Sequence, residues 1–230
     1  MLSQLVMLQL RALSALLWYK PDPPIIQSIL HGCFFFYLYL MIKKRCDWCV
    51  GDTQYENYHD LEWGVPCYEA QKLFEFLILE TFQAGLSWIT VLRKRPHFHQ
   101  AFDQFQAAKM AVYGPKKKAR LMEDRGIIRN RQKIEAAVRN AQAFLFLDEK
   151  YGFGNFLWEA VGGRPQTNSY KTIGEIPSYT PVAEKLSKTL KKEGFAFVGP
   201  TVIYAFMQAT GMVNDHLVSC YRYAEIKNNS

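Results

Sequence analysis

"PVAEKLSKTLKKEGFAFVGPTVIYAFMQATG", residues 181–211, reads as two helices and the joint between them. The first, "PVAEKLSKTLKKEG", ends at Gly194, "FAFVGP" makes a tight loop, and "TVIYAFMQATG" starts a second helix at Thr201. A Gly-Pro pair at the mouth of a helix leaves backbone N–H groups pointing outward, where the helix dipole also favours an anion. A helix-hairpin-helix element grips a DNA phosphate in this way, which makes Val198, Gly199, Pro200 and Thr201 candidate contacts. An ordinary turn between packed helices would leave the same trace.

The rest of the chain after Met41 is also helical in pattern. "EAQKLFEFLILETFQAG" (residues 69–85) is densely apolar, "SWITVLRKR" restarts after Gly85 with Ser87 as a candidate N-cap, and "RQKIEAAVRNAQAFLFL" (131–147) places apolar residues at three- and four-residue steps. Turns fall at "YGPKK", "GGRPQT" and "EIPSYTP", with short connections between. Convincing strand alternation is absent, and so is an internal repeat. The fold class expected is all-α.

Of 230 residues, 28 are Lys or Arg and 21 Asp or Glu, a net charge of +7 that favours a polyanionic partner or an acidic surface. The basic residues cluster in "GPKKKARLMEDRGIIRNRQK" (114–133) and "EKLSKTLKKEG" (184–194). Runs of this kind also occur as plain solvated helix faces. Five cysteines without a paired framework argue against a disulfide-stapled secreted domain and fit a reducing cytoplasm.

Residues 1–40 read differently. "MLSQLVMLQLRALSALLWYK" has helix-like spacing, "PDPP" breaks it, and "CFFFYLYLMI" is a ten-residue apolar run, against about 20 needed to span a bilayer. A secretory signal is disfavoured, because no small-residue cleavage site follows. The expectation is an N-terminal extension (1–40) outside the fold, with Met41 as the natural start and residues 41–230 as the functional domain. An amphipathic anchor on a membrane surface is the competing reading of the extension.

"NDHLVSC" (214–220) sets His216 and Cys220 four apart, a spacing that on a helix stacks both on one face and suits two corners of a tetrahedral zinc site. "CDWC" and "NYHDLEWG" supply the other candidates, Cys46, Cys49 and His59. Spacing alone favours the Cys46-x-x-Cys49 pair and leaves His59 over. Either set gives four protein ligands and no open position, hence a structural site joining the two ends of the domain. The competing reading is a buried thiol beside a satisfied histidine, with no metal. Such sites contribute folding energy on the order of 10 kcal/mol in small zinc peptides.

Glu80 follows Phe76 and Leu77 by four and three residues, so it shares their face and directs a carboxylate into apolar surroundings. An isolated buried carboxylate is costly, which calls for a partner or a task. A helix-end glutamate turned to solvent is the bland alternative.

"RCDW", "YENYHDLEWGVP", "LFEFLILETFQAGLSWITVLRKR", "GIIRNRQKI" and "LSKTLKKEGFAFVGPTVIYAFMQATGMVNDHLVSC" together resemble the 3-methyladenine DNA glycosylase I family, the constitutive Tag type, from about residue 44 to residue 221. The resemblance implies a helix-hairpin-helix DNA glycosylase fold of two helical lobes, with one structural Zn2+ joining the N- and C-terminal segments. Carried over residue by residue, its zinc ligands fall on Cys46, His59, His216 and Cys220, which displaces the Cys46–Cys49 pairing. Cys49 departs from the family pattern and leaves open whether it stands in for His59. By the same resemblance Glu80 is the acid that hydrogen-bonds the base, surrounded by Trp48, Tyr55, Tyr58 and Trp88.

The function implied is base-excision repair: extrusion of 3-methyladenine from double-stranded alkylated DNA and its hydrolytic release, by a cytoplasmic monomer needing no protein partner. Gly85 and Leu86 are candidates to enter the gap left by the extruded nucleotide, with a simple kink as the alternative. Arg131 and Lys133 are candidate phosphate contacts, or a solvated face. No family role transfers to Lys116–Lys118. Asp215, beside His216, reads as support for a ligand or as a cap. No lysine sits at a nucleophile position in "FVGPTVIYAFMQ", which speaks against lyase chemistry. A zinc-clasped module that senses damage without releasing a base is the alternative function.

Overall fold

The computed structural model describes residues 43–228. The extension 1–40, its apolar run, Cys33 and Met41 lie outside the described residues. From Lys44 onward the chain forms one compact unit around a continuous apolar core. Among the described residues no helix is long and apolar enough to cross a membrane.

Among the described residues the unit holds ten α-helices. In order they are α1 (Thr53–Leu61), α2 (Ala70–Gln83), α3 (Trp88–Ala101), α4 (Ala107–Met110), α5 (Pro115–Glu123), α6 (Arg131–Tyr151), α7 (Phe153–Ala160), α8 (Pro181–Lys192), α9 (Pro200–Ala209) and α10 (Tyr221–Asn228). Their starts follow capping chemistry: Asp52, Asn130 and Thr180 accept from the N–H three residues on, and Pro stands at the first position of α5, α8 and α9. Lys116 and Lys117, in the turn expected at "YGPKK", belong with Lys118 to α5.

Helix α2 is the hub. An unbroken stretch from Phe76 to Phe82 is buried, Glu80 included, as befits a helix apolar on every side. It packs against α3, α6, α7 and α9. The helix stops at Gly85, whose φ of +80° suits glycine, and the chain turns there into α3. Ser87 holds the N-cap position, but its hydroxyl pairs with that of Thr90 at 2.8 Å and caps no backbone N–H. The closing carbonyls of this turn are met from outside: buried Lys133 donates to Phe82 O at 2.8 Å and Ala84 O at 2.6 Å.

Helices α8 and α9 pack against each other across the loop read from "FAFVGP". Asn140 of α6 pins that loop, accepting from Ala196 N at 2.7 Å and donating to Ala196 O at 3.1 Å, while Ser187 Oγ donates to Val198 O. Two departures from the sequence reading concern the C-terminal segment. A two-residue parallel pairing, β1 (Gln166–Thr167) with β2 (Val213–Asn214), interrupts the helices. His216 and Cys220 lie in the turn after β2, ahead of α10, and not on a helix. A reversal brings them together where a helical repeat was expected, because β2 runs on through Asn214, whose side chain accepts from His216 N at 3.2 Å.

Candidate functional site

Glu80 points off the hub helix into a cavity of about 320 Å³, lined also by Trp48, Tyr55, Tyr58, Trp63, Gln83, Trp88, Ile173, Ile176, Ala205 and Gln208. The rings form a connected wall. Trp48 meets Tyr55 and Trp63 edge-on at centroid distances of 4.7 and 5.0 Å, and Tyr58 lies 5.2 Å from Trp88. Two polar atoms on this wall are buried without a partner: Glu80 Oε2 and Trp88 Nε1. Burial pushes the Glu80 carboxyl up to about 8, and no cation among the described residues offsets it. An unpaired acceptor and an unpaired donor in one aromatic hollow each cost stability, and a flat guest with complementary edges would satisfy both.

The four aromatics expected around Glu80 are all present. Trp63, Gln208, Gln83, Ala205, Ile173 and Ile176 were not anticipated. Trp63 stands in "DLEWG" one turn beyond α1, and its place beside His59 could have been suspected from that proximity. Ile173 and Ile176 come from the loop after β1, where local sequence carries no signal.

A second cluster joins the ends of the domain. Cys46, His59, His216 and Cys220 are all buried, and their ligand atoms lie within 4.8 Å of one another. His59 Nε2 and His216 Nδ1 are 3.2 Å apart, and the sulfur-to-nitrogen distances are 3.4 Å for Cys220–His59, 3.6 Å for Cys220–His216 and 3.7 Å for Cys46–His216. Tetrahedral zinc with its usual bond lengths would set nitrogens about 3.3 Å apart and sulfur about 3.6 Å from nitrogen. The donor set fits such an ion. The outward ring nitrogens are fixed as well, His59 Nδ1 by Asp60 at 2.8 Å and His216 Nε2 by the Trp63 carbonyl at 3.0 Å. Arg45 in turn clamps Asp60 at 2.8 Å. Cys49 lies outside the cluster, its thiol donating to Cys46 O at 3.1 Å, so the Cys46–Cys49 pairing that spacing favoured does not form.

The remaining candidates are spread over the surface nearby. Gly85 and Leu86 are exposed in the α2–α3 turn, Leu86 at 43 %. At the joint, Val198 turns its side chain into the core, Gly199 caps α9, and Thr201 is exposed at its first turn. Arg131 is exposed at the start of α6. Lys133 is engaged with the α2 carbonyls, so its buried ammonium serves that helix end. Asp215 neither caps a helix nor supports His216: it accepts from Tyr204, Gln208 and Asn168.

The sequence profile of the methyladenine glycosylase family matches residues 48–223. DNA-3-methyladenine glycosylase 1 of Escherichia coli (strain K12) is 48% identical over 181 residues, 78% of this chain and 97% of that protein. Among solved structures, one of 3-methyladenine DNA glycosylase I superposes with a TM-score of 0.76 at 46% identity, covering 77% of this chain and 98% of that one. The Staphylococcus aureus 3-methyladenine DNA glycosylase I, solved for the basis of its 3-methyladenine recognition, superposes at 0.75 with 38% identity, over 78% of this chain and 96% of that one.

Proposed function

The chain belongs to the methyladenine glycosylase family, and we propose that it flips 3-methyladenine out of alkylated duplex DNA into the cavity around Glu80 and releases it by hydrolysis. That it is a glycosylase of base-excision repair follows from the relatives. The observation that carries the finer reading is the partnerless Oε2 of Glu80 inside an aromatic hollow. A base methylated at N3 in DNA is cationic, and ring faces and a carboxylate attract it more than they attract neutral adenine. With its carboxyl titrating at about 8, Glu80 is mostly protonated in an empty pocket at pH 7. Ionising it there costs about 1.4 kcal/mol, an expense that only a cationic guest offsets. Ordinary adenine brings no such charge.

The positive charge already weakens the glycosidic bond. Its electron pair leaves with the base, which becomes neutral, and water adds to the sugar carbon and gives up a proton. Little further catalysis is required, so discrimination rests with the pocket, and Glu80 is the recognising acid. Among the described residues no lysine lines the cavity, which supports a monofunctional enzyme without lyase activity. The exposed Leu86, Arg131 and the N-terminus of α9 at Gly199–Thr201 are proposed to meet the duplex, with Leu86 filling the vacated stack. Zinc held by Cys46, His59, His216 and Cys220 would be structural, since all four positions are taken by protein.

The test is release of free 3-methyladenine from methylated duplex, with metal content measured on the same preparation. Release should be lost or greatly slowed in Glu80→Gln while the circular dichroism spectrum stays unchanged. Tight, salt-sensitive duplex binding by the wild type without any base release would overturn the proposal in favour of a damage-sensing module.

A further inference from the structure

We propose that Gln208, oriented by Asp215, is a second hydrogen-bond acceptor in the cavity and makes it favour purines bearing a 6-amino group over those bearing a 6-carbonyl. This rests on the reading of the cavity as a base pocket. Gln208 is a half-buried residue of α9 whose side chain lines the same hollow as Glu80 and Trp88. An amide in such a place could turn either its oxygen or its nitrogen to a guest, and would then accept or donate. Asp215 removes that freedom. It is buried to 1 % exposure, and both of its oxygens already accept hydrogen bonds. Tyr204 Oη and Gln208 Nε2 both donate to its Oδ2, at 2.6 and 2.8 Å, and Asn168 Nδ2 donates to Oδ1 at 2.7 Å. Reversing the Gln208 amide would set its oxygen against a buried carboxylate and strip that carboxylate of a donor. The amide nitrogen is therefore committed to Asp215, and the polar atom left for the cavity is Oε1.

The consequence is a fixed sign at one point of the wall. In 3-methyladenine the N–H donors of the base are those of its 6-amino group. In 3-methylguanine the same position is a carbonyl oxygen, which would face Oε1 acceptor to acceptor. Sites built around a buried polar group reject guests that leave it unpaired far more strongly than apolar pockets reject a change of size. Asp215 acts only through Gln208 and is a positioning residue.

Duplex DNA carrying both lesions, incubated with the metal-loaded full chain, gives the ratio of 3-methyladenine to 3-methylguanine release by chromatography of the freed bases. The ratio is insensitive to any unfolded fraction, which scales both rates alike. Gln208→Met, close in volume and without an acceptor, should lower the ratio roughly tenfold or more, chiefly by slowing 3-methyladenine release. Asp215→Asn should shift it the same way, and the double variant should add little to either single one, as expected for residues acting as a unit. Dissociation constants of the two free bases, read from quenching of the pocket tryptophans, should show the same selective loss for 3-methyladenine. Parallel loss for both bases, an unchanged ratio, or full additivity of the two variants overturns the role of Gln208. If the wild type releases neither base, the base-pocket reading falls together with it.

Discussion

Replacing Glu80 with Gln should make the protein more stable, by an amount that depends on pH in a defined way. The folded carboxyl titrates at about 8 against 4.5 for an ordinary glutamate, because burial disfavours its charge. A raised pKa means that the folded state holds the proton more tightly than the unfolded state does. The associated stability is fully present below pH 4.5 and is lost as pH rises through 8. Between those limits wild-type stability should fall by about 1.4 kcal/mol per pH unit from this group. Gln cannot ionise and lacks the slope. The two proteins should differ little near pH 4.5, by about 3 kcal/mol at pH 7 and by up to about 5 kcal/mol at pH 8 and above, in favour of Glu80→Gln. Urea unfolding of the metal-loaded proteins at pH 5, 6, 7 and 8, with equal m-values, measures the difference directly. A gap that stays constant with pH, or a variant less stable at pH 8, would mean that the ionised carboxylate has a partner in the folded protein, and the account of the pocket as a vacant acid would be wrong.

The same titration shapes activity: if the cationic base requires the carboxylate, kcat/KM for 3-methyladenine release should climb about tenfold per pH unit below 8 and level off above it, while a flat profile for the wild type would exclude the requirement. Cys220→Ser, or prolonged chelation, should remove one equivalent of metal per chain and lower unfolding free energy by several kcal/mol, measured by metal analysis and denaturation; an unchanged midpoint would rule out a structural ion. Gly211→Ala should destabilise by more than about 2 kcal/mol, since φ is +69° and a Cβ would fall 2.4 Å from Pro66 N and the Val65 carbonyl carbon; thermal unfolding reads this. Lys133→Met should cost about 2–3 kcal/mol by leaving the Phe82 and Ala84 carbonyls short of a charged donor, whereas Arg131→Ala should leave stability alone and reduce the salt slope of duplex binding by about 1; a reversal of these two outcomes would exchange their roles.

What could be read in the sequence was whatever lies on one helix. Phe76, Leu77 and Glu80 share a face by spacing alone, which leaves a buried and a solvent-turned Glu80 both open, and the structure buries it. The two helices around "FAFVGP" and the stop at Gly85 were likewise local, set by Gly and Pro. Legibility failed where distant segments meet. Spacing favoured Cys46 with Cys49, but the 3-10 turn of Asp47–Cys49 directs the second thiol to the Cys46 carbonyl, and the partners come from 13 to 174 residues away. Helical spacing of His216 and Cys220 misled for the same reason, since a turn and a helix can both juxtapose residues four apart. Lys133 looked like a surface cation because nothing in "RNRQK" announces that the end of α2 packs over it. Ile173, Ile176 and Gln208 reach the cavity only through the packing of α9 and the loop after β1, which no local pattern encodes.

Pocket and clasp share their residues, so whatever holds the Cys–His cluster together also holds the walls around Glu80. Helix α1 carries Tyr55 and Tyr58 to the cavity and, at the very next position, His59 to the clasp. Trp48 follows Cys46 by two residues and packs on Tyr55, Tyr58, His59 and Trp63. Trp63 faces both ways, its ring in the cavity wall and its carbonyl on His216 Nε2. Without the clasp these three wall segments are held by a short helix, a single 3-10 turn and a loop, elements too small to fix aromatic planes by their own hydrogen bonds. Selectivity for a flat cation requires those planes to stand ready before the base arrives, because rings that must be ordered on binding spend part of the attraction on their own entropy. The Cys–His cluster therefore bears on the proposed recognition without entering the cavity: it sets the spacing of the walls between which Glu80 Oε2 is left without a partner.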